Sequence, residues 1–270
     1  MQLIYPSDYF NPAKADETFE QEFTCARQNG LTCVLLSSEQ VSMGKYKFSH
    51  SFEPDVPVIW RGWMLSPEEY QQLHRAVSLN GGQMLESFDD YIRCHYITGW
   101  YEICQKYTPE TVLVSEDADF DMVTDQLKWP CYFVKDYVKS LTTSRGSVAV
   151  NADEIREVLK SIEHFRGKIE GGVSLRRFEN FVPDSERRYF SLNGKVFSAD
   201  GIIPEVVIEI AQLVDAPFFS IDMIENDAGQ LRLIEIGDGQ VSDIKEWPVE
   251  RFVRIFMASL ELKKAGFRGA

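Results

Sequence analysis

Two short stretches near the carboxyl end, FSID at residues 219–222 and IEIGDGQ at residues 234–240, place carboxylates inside runs of apolar residues. Between them lies the turn sequence NDAG at residues 226–229, so the two runs are predicted to form a β-hairpin. In that hairpin Asp222 and Glu235 become diagonal neighbours on one face, roughly 6 to 8 Å apart. Carboxylates in apolar strands therefore mark the first candidate site.

A carboxylate pair at this spacing could bridge one hard cation. Magnesium prefers a few carboxylate oxygens completed by water and phosphate, so the pattern favours a nucleotide-bound Mg²⁺ over a closed structural site. The alternative is that Asp222 and Glu235 lie on an exposed hairpin face. Asp238 and Asp243 could be further ligands or solvated loop acids.

A second candidate is Lys135, which shares strand parity with Cys131 and Phe133 and so ends an apolar face. A lysine in that position requires an anionic partner. Residues 140–146 follow with several hydroxyl groups and a glycine, and this loop could fold over phosphates, although it is not a Walker P-loop. Alternatively, the loop is a plain surface connection.

Two arginines form the third candidate. By strand parity, Arg177 and Arg188 are predicted to extend apolar faces, whereas Arg176 points the other way. Inward arginines usually contact carboxylate or phosphate groups. The alternative for either one is a buried ion pair with Glu179 or Glu186.

Composition excludes several classes of protein. The 270 residues are 44% hydrophobic, enough for a substantial core, and 28 basic against 42 acidic residues give a net charge of -14, which disfavours nucleic-acid binding. Five cysteines without a Cys-x-x-Cys pair suggest reduced thiols rather than disulfides or a zinc site. Without a signal-like start or an 18-residue apolar run, we expect a cytoplasmic protein with no membrane association.

The pattern of elements changes along the chain. Residues 3–5, 32–36 and 57–60 read as strands in a βαβ rhythm, which predicts a small α/β domain. After residue 100, hairpin signals dominate, including the turn at Asn193 and Gly194. A second architecture therefore begins there.

Three residues are candidates for substrate contact. Arg61 comes directly after a predicted strand and could face a substrate from the strand's end. His95, beside Arg93, lies near the expected domain junction, where a structural role is the alternative.

Taken in order, these parts resemble the ATP-grasp superfamily. The resemblance covers roughly residues 85 to 262. The matching segments are 108–112, similar to the start of the family's lid, 129–135, its lysine strand, 144–148, its phosphate loop, 177–182, its adenine hinge, 186–190, its acid-x-arginine strand, and the two metal carboxylates.

The resemblance implies an α+β fold in which two α+β subdomains grip the nucleotide, preceded by a small α/β domain. We expect the first domain at residues 1–84 and the ATP-grasp domain at residues 85–270, with a lid subdomain at about 108–172. The subgroup that this order resembles is the one named for two arginines and a lysine, related to ligases that add amino acids to peptides or proteins.

The implied activity is ATP- and Mg²⁺-dependent ligation of a carboxylate to an amine through an acyl phosphate, with small-molecule or peptide substrates. Two departures from the family keep alternatives open. The loop is poor in glycine, and Gly237 stands where the family often has asparagine at the metal. A non-catalytic ATP-binding relative and an ATP-grasp phosphotransferase are therefore the alternatives.

The resemblance also implies roles for individual residues. Lys135, Arg177 and Arg188 would be catalytic. The nucleotide would contact Lys135, Lys139, Ser144, Gly146, Glu179, Asn180, Phe181, Val182 and Glu186. The metal ligands would be Asp222, Glu235 and Asp238, and Arg61, Arg93 and His95 would contact substrate.

Overall fold

The computed structural model describes residues 1–37, 41, 44–138 and 146–266, with the backbone alone beyond residue 257. Contacts divide the chain into two units. Unit 1 comprises Met1–Ile92, Arg188–Ile221 and the segment from Gly237 onward, and unit 2 comprises Arg93–Arg187 and Asp222–Ile236.

Helices and strands alternate along the described chain. The helices are α1 (Glu20–Gln28), α2 (Pro67–Leu79), α3 (Phe88–His95), α4 (Ile97–Cys104), α5 (Phe120–Leu127), α6 (Ala152–Arg166), α7 (Glu205–Leu213) and α8 (Val249–Gly266). The strands are β1 (Gln2–Pro6), β2 (Thr32–Leu36), β3 (Pro57–Trp60), β4 (Gln83–Met84), β5 (Thr111–Val114), β6 (Tyr132–Asp136), β7 (Val148–Ala149), β8 (Val173–Arg177), β9 (Arg187–Leu192), β10 (Lys195–Ser198), β11 (Phe218–Glu225) and β12 (Leu231–Asp238). None of the helices in these described ranges is long and apolar enough to cross a bilayer.

Unit 1 begins with a parallel sheet in the order β2-β1-β3-β4. On β1, Leu3 pairs with Cys33 of β2 on one side and with Ile59 of β3 on the other. Leu3 and its neighbour Ile4 are both fully buried, as in parallel sheets that are covered on both faces. The predicted βαβ start is confirmed.

Helix α2 begins where the sequence predicts it. The Ser66 hydroxyl accepts a hydrogen bond from the Glu69 backbone N–H at 3.2 Å, and the Glu69 carboxylate accepts from the Ser66 N–H at 2.8 Å. This reciprocal capping box satisfies donors that the first turn leaves free, and Pro67 fits at the first helical position.

Unit 2 contains an antiparallel sheet in the order β5-β8-β6-β7. One face of this sheet packs against α6, where Val173 and Leu175 join Ile155 and Ile162 in a buried apolar cluster. Helix α6 opens at Asn151, whose side chain accepts from the third residue of the helix, and closes at Gly167 with φ +79°. The opposite face of the sheet is the one that carries Lys135.

The third sheet has the order β10-β9-β11-β12. Strands β9 and β10 form the predicted hairpin, with Leu192 opposite Lys195. The turn residues Asn193 and Gly194 have φ of +50° and +76°, a conformation that asparagine and glycine tolerate best. Strands β11 and β12 carry residues of both units, since unit 2 takes Asp222–Ile236.

The division by contacts differs from the boundary expected at residue 84. In unit 1, Leu3 and Tyr5 of β1 share one buried core cluster with Phe190, Phe218 and Phe252. The amino-terminal strands and the carboxyl-terminal helix therefore belong to one unit, because they cover each other's apolar surface. The expected lid, residues 108–172, falls within unit 2.

Candidate functional site

Lys135 lies on β6 with its side chain 6% exposed. Its Nζ donates a hydrogen bond to Glu235 Oε1 at 2.8 Å, so Glu235 is the anionic partner that the sequence requires. Glu235 remains 35% exposed at the side chain. A carboxylate offers about four lone-pair positions, so Glu235 can accept from Lys135 and still contact a cation.

Asp222 lies on β11 and is 3% exposed. The alternative that Asp222 sits on an exposed hairpin face is therefore wrong. Burial of a carboxylate is costly unless it is compensated by partners, which is typical of a functional or ion-paired position. Asp222 and Glu235 both belong to unit 2 and both supply hard oxygen donors, so the pair fits Mg²⁺ chemically.

Asp238, in unit 1, has a different environment. It is 1% exposed, and its Oδ1 accepts from the Gln240 N–H at 2.8 Å. Burial raises the pKa of Asp238, and burial together with the neighbouring Asp238 carboxylate raises the pKa of Glu86 well above its usual range. Within the described ranges, no three His, Cys, Asp or Glu side chains are grouped to hold a metal, so the third ligand expected at Asp238 has no support.

Arg176 is a residue that strand parity assigned to the wrong face. It is 4% exposed, pairs across the strands with Phe133, and so shares a sheet face with Lys135. Its Nη1 donates to the Ile234 carbonyl at 2.8 Å, whereas its buried Nη2 has no hydrogen-bond partner among the described residues. Burial lowers the pKa of Arg176 to about 10. An unpaired guanidinium N–H in this position suits an anionic ligand.

Arg177, which was expected to point inward, is exposed instead. Its side chain is 54% exposed and lies 3.6 Å from Glu110 Oε2. The reason is that Val173 and Leu175, on the same face, are covered by helices, while Arg177 is the last residue of β8 and extends past them.

A cavity of about 400 Å³ opens in unit 2 beside this face. Phe133, Arg176 and Ile234 line it together with four residues that the resemblance assigns to the nucleotide: Glu179, Asn180, Phe181 and Glu186. The volume and the largely apolar wall suit a planar organic ligand. Sequence reasoning therefore located this wall correctly from residues far apart in the chain.

The wall of the cavity is held by specific contacts. The Glu179 carboxylate accepts two hydrogen bonds from the Arg232 guanidinium, each at 3.0 Å, which fixes both side chains. The Val182 N–H donates to the Glu225 carbonyl at 2.8 Å, so Val182 anchors the segment without lining the cavity.

The predicted phosphate loop is described only in part. Gly146 has φ +71°, a left-handed conformation that glycine adopts without strain. The Ser147 carbonyl accepts from the Val134 N–H at 2.7 Å, which joins the end of the loop to β6. Lys139 and Ser144 lie outside the described residues.

Arg188 lies in unit 1 and is 9% exposed. Its Nη1 donates to Asp243 Oδ1 at 2.8 Å and to the Asp243 carbonyl at 2.9 Å. The expected ion-pair partners Glu179 and Glu186 are therefore replaced by Asp243. The Arg188 carbonyl accepts from the Trp247 indole N–H at 2.9 Å, which fixes the backbone as well.

Arg61 is 1% exposed, and its partners all lie in unit 1. Its Nε and Nη2 donate to the Glu22 carboxylate at 2.8 and 2.9 Å, and its Nη1 donates to the carbonyls of Gly239, Gln240 and Ser242. These contacts favour a structural role over the substrate contact expected for Arg61. Arg93 and His95 lie half-buried on α3, in unit 2 and with partners of their own.

Solved structures with the ATP-grasp fold are similar to this chain. The D-cycloserine synthetase DcsG has a TM-score of 0.60 at 14% identity, over 96% of this chain and 100% of the other. D-alanine–D-alanine ligase from Bacillus anthracis has 0.57 at 13% identity, over 98% of both chains. The macrocyclase MdnC from Microcystis aeruginosa MRC, bound with precursor peptide MdnA, has 0.57 at 9%, over 96% and 100%.

The expected fold class, α+β with the ATP-grasp fold, is confirmed by these neighbours and by the mixed helices and sheets. No match was found among curated proteins. A family model described as an ATP-grasp domain, family 3 of its clade, matches residues 99–255, more than half of the chain. The chain therefore belongs to this family of ATP-grasp domains.

Proposed function

We propose that this protein is an ATP- and Mg²⁺-dependent carboxylate-amine ligase that forms an amide or peptide bond through an acyl phosphate. The observation that carries the proposal is the Lys135–Glu235 pair at 2.8 Å, on a sheet face that also bears the incompletely bonded Arg176. The family assignment and the cavity beside this face support ATP as the substrate that it binds.

Each charged group has a part in this chemistry. Phosphoryl transfer to a carboxylate brings several negative charges together, so catalysis depends on positioned cations. Lys135 would neutralise phosphate charge from β6, and Arg188, oriented by Asp243, would stabilise the transferred group. The cavity wall at Glu179 would hold the adenine.

Asp222 and Glu235 are the proposed Mg²⁺ ligands. When bound, the ion supplies charge neutralisation at the phosphates. The described residues offer these two carboxylates and no three-ligand group, which suits an ion that completes its shell with water and phosphate.

We further infer that the chain belongs to the subgroup named for two arginines and a lysine. Lys135 would supply the lysine, and Arg188 and Arg176 the arginines. Arg176 takes the place of Arg177 in this proposal because its buried Nη2 has no partner among the described residues.

The test is Glu235→Gln. We expect the variant to lose ATP turnover by at least about a hundredfold, because the neutral amide weakens both the Lys135 pair and the proposed metal site. ADP release is measured with Mg²⁺ across amino-acid and peptide mixtures. Glu225→Gln, on the same hairpin but exposed, is the matched control. Wild-type turnover in Glu235→Gln would contradict the proposal.

A non-catalytic ATP-binding relative is the second candidate, favoured by the missing three-ligand metal group in the described part of the chain. It predicts Mg²⁺-dependent ATP binding without substrate-stimulated ADP release. A phosphotransferase would release ADP but give a phosphorylated product, which mass spectrometry distinguishes from a new amide.

A further inference from the structure

A second cavity, of about 620 Å³, lies within unit 1. It is formed by strand β10, the loop that follows it and the first turns of α8. Its volume falls in the range of small-molecule sites. Its lining combines three cations, Lys195, Arg251 and Arg254, with apolar groups that include Phe197, Ile203 and Trp247.

The three cations have no carboxylate at ion-pair distance. No ion pair or hydrogen bond joins the side chains of Lys195, Arg251 or Arg254 to any residue within the described ranges. Lys195 Nζ instead lies 5.2 Å from the centroid of the Phe197 ring. Three like charges around one cavity repel one another. In a chain with 14 more acidic than basic residues, this arrangement indicates that an anion completes it.

The acids nearby do not neutralise the cavity. Glu250 is the acidic residue in the lining, and it leaves a net positive charge of two. Asp200, in the adjoining loop, accepts a hydrogen bond from the Ile202 N–H at 2.8 Å and so is engaged within the loop. That bond is the main reason why the pKa of Asp200 is lowered, and the charge of Arg251 contributes less.

The loop wall is preorganised. The Ser198 hydroxyl accepts from the Gly201 N–H at 2.8 Å. Gly201 has φ +92°, and a Cβ there would lie 2.9 Å from Arg251 Nη2, so glycine allows the backbone to approach the guanidinium closely. A fixed wall with fixed cations reduces the entropy lost on binding.

We propose that this cavity is a second ligand site that binds a small organic anion with two or more negative charges and an apolar group. The charges would contact Lys195, Arg251 and Arg254, since arginine forks suit phosphate and carboxylate groups. The apolar part would lie against Phe197 and Trp247.

The cavity is connected to Arg188 through its floor. Trp247 lines the cavity, and its indole N–H donates to the Arg188 carbonyl at 2.9 Å. The preceding residue, Glu246, accepts from the Arg188 N–H at 3.2 Å. A ligand that shifts Trp247 would therefore shift the backbone of Arg188, which makes this site suited to an effector.

Phenyl phosphate, an aromatic dianion, is the probe. It is titrated into the ¹⁵N-labelled full chain, which has five tryptophan indole signals, with that of Trp247 assigned by Trp247→Phe. We expect a saturable shift of the Trp247 signal, about tenfold or more weaker with inorganic phosphate, and no shift with phenol. These readouts need no ligase activity, so they are independent of the proposed function.

The variant Arg251→Gln/Arg254→Gln should weaken phenyl phosphate binding by about tenfold or more. Both side chains are exposed, so the other indole signals should stay in place. Lys160→Gln, exposed on α6, is the matched control and should bind normally. Absence of a saturable Trp247 shift, equal affinity for inorganic phosphate, or undiminished binding by the double variant would each overturn the proposal.

Discussion

Arg176 and Arg177 are adjacent in the chain but have opposite environments, and this contrast gives a test at the level of single residues. Arg176 is 4% exposed with an unpaired Nη2 among the described residues, whereas the side chain of Arg177 is 54% exposed. If the unpaired group serves an anionic ligand, Arg176→Met should reduce ATP turnover by about tenfold or more. Arg177→Met should change it by less than about threefold.

Stability separates this effect from misfolding. Replacing a buried, partly bonded cation by an apolar side chain is often tolerated, so the free energy of unfolding of Arg176→Met should stay within about 2 kcal/mol of the wild type. Urea unfolding measures it. The interpretation fails if Arg176→Met keeps full turnover while Arg177→Met loses it.

Strand parity could not assign these two arginines, for a physical reason. Alternation predicts an inward face only when the other face is solvated, and on β8 both Val173 and Ser174 are fully buried. Lys135 was predictable because its apolar run ended in a charge that required a partner. Its partner Glu235, 100 residues away, was beyond any local pattern.

At the level of elements, local signals predicted the hairpin at Asn193 and Gly194 and the capped start of α2 at Ser66. Both depend on contacts within four residues, which a sequence displays directly. The burial of Arg61 was not predictable. Its partners Glu22 and Gly239 lie 39 and 178 residues away, so the pairing arises only from the tertiary fold.

The amino-terminal elements also determine the alkaline limit of the protein. Burial raises the pKa of Tyr5 on β1 and of Tyr70 on α2 well above the usual value of 10.0, and raises that of Cys33 on β2 to about 12. The folded state therefore holds these protons more tightly than the unfolded state. Their contribution to stability is complete below pH 9 and is lost as the pH rises through the folded values.

We expect the Tyr5 and Tyr70 phenolates to form only as the sheet unfolds. Ultraviolet absorbance of phenolate and far-ultraviolet circular dichroism are followed together during alkaline titration. A late part of the phenolate signal should coincide with loss of circular dichroism, and Tyr70→Phe should reduce that part. Ionisation of all 11 tyrosines with unchanged circular dichroism would contradict this expectation.

At the level of the whole molecule, the core of unit 1 is built from both ends of the chain. Leu3 and Tyr5 share a buried cluster with Phe190, Phe218 and Phe252. Composition shifts along the sequence suggested a boundary at residue 84, because they report local element types and not which distant surfaces cover each other. The expected amino-terminal domain thus supplies part of the core of residues 188–221 and the segment after 237.

A fragment of residues 85–270 should therefore fail to fold alone. Removing residues 1–84 exposes several large aromatic side chains, each worth about 1.5 to 3 kcal/mol of burial, against a typical total stability of about 5 to 15 kcal/mol. Circular dichroism and urea unfolding of the purified fragment measure this, with the full chain as reference. We expect no cooperative transition in the fragment. Co-expression with residues 1–84 should restore one, because the missing surface is then supplied in trans. Cooperative unfolding of the fragment alone would establish residue 84 as a true domain boundary and contradict the shared core.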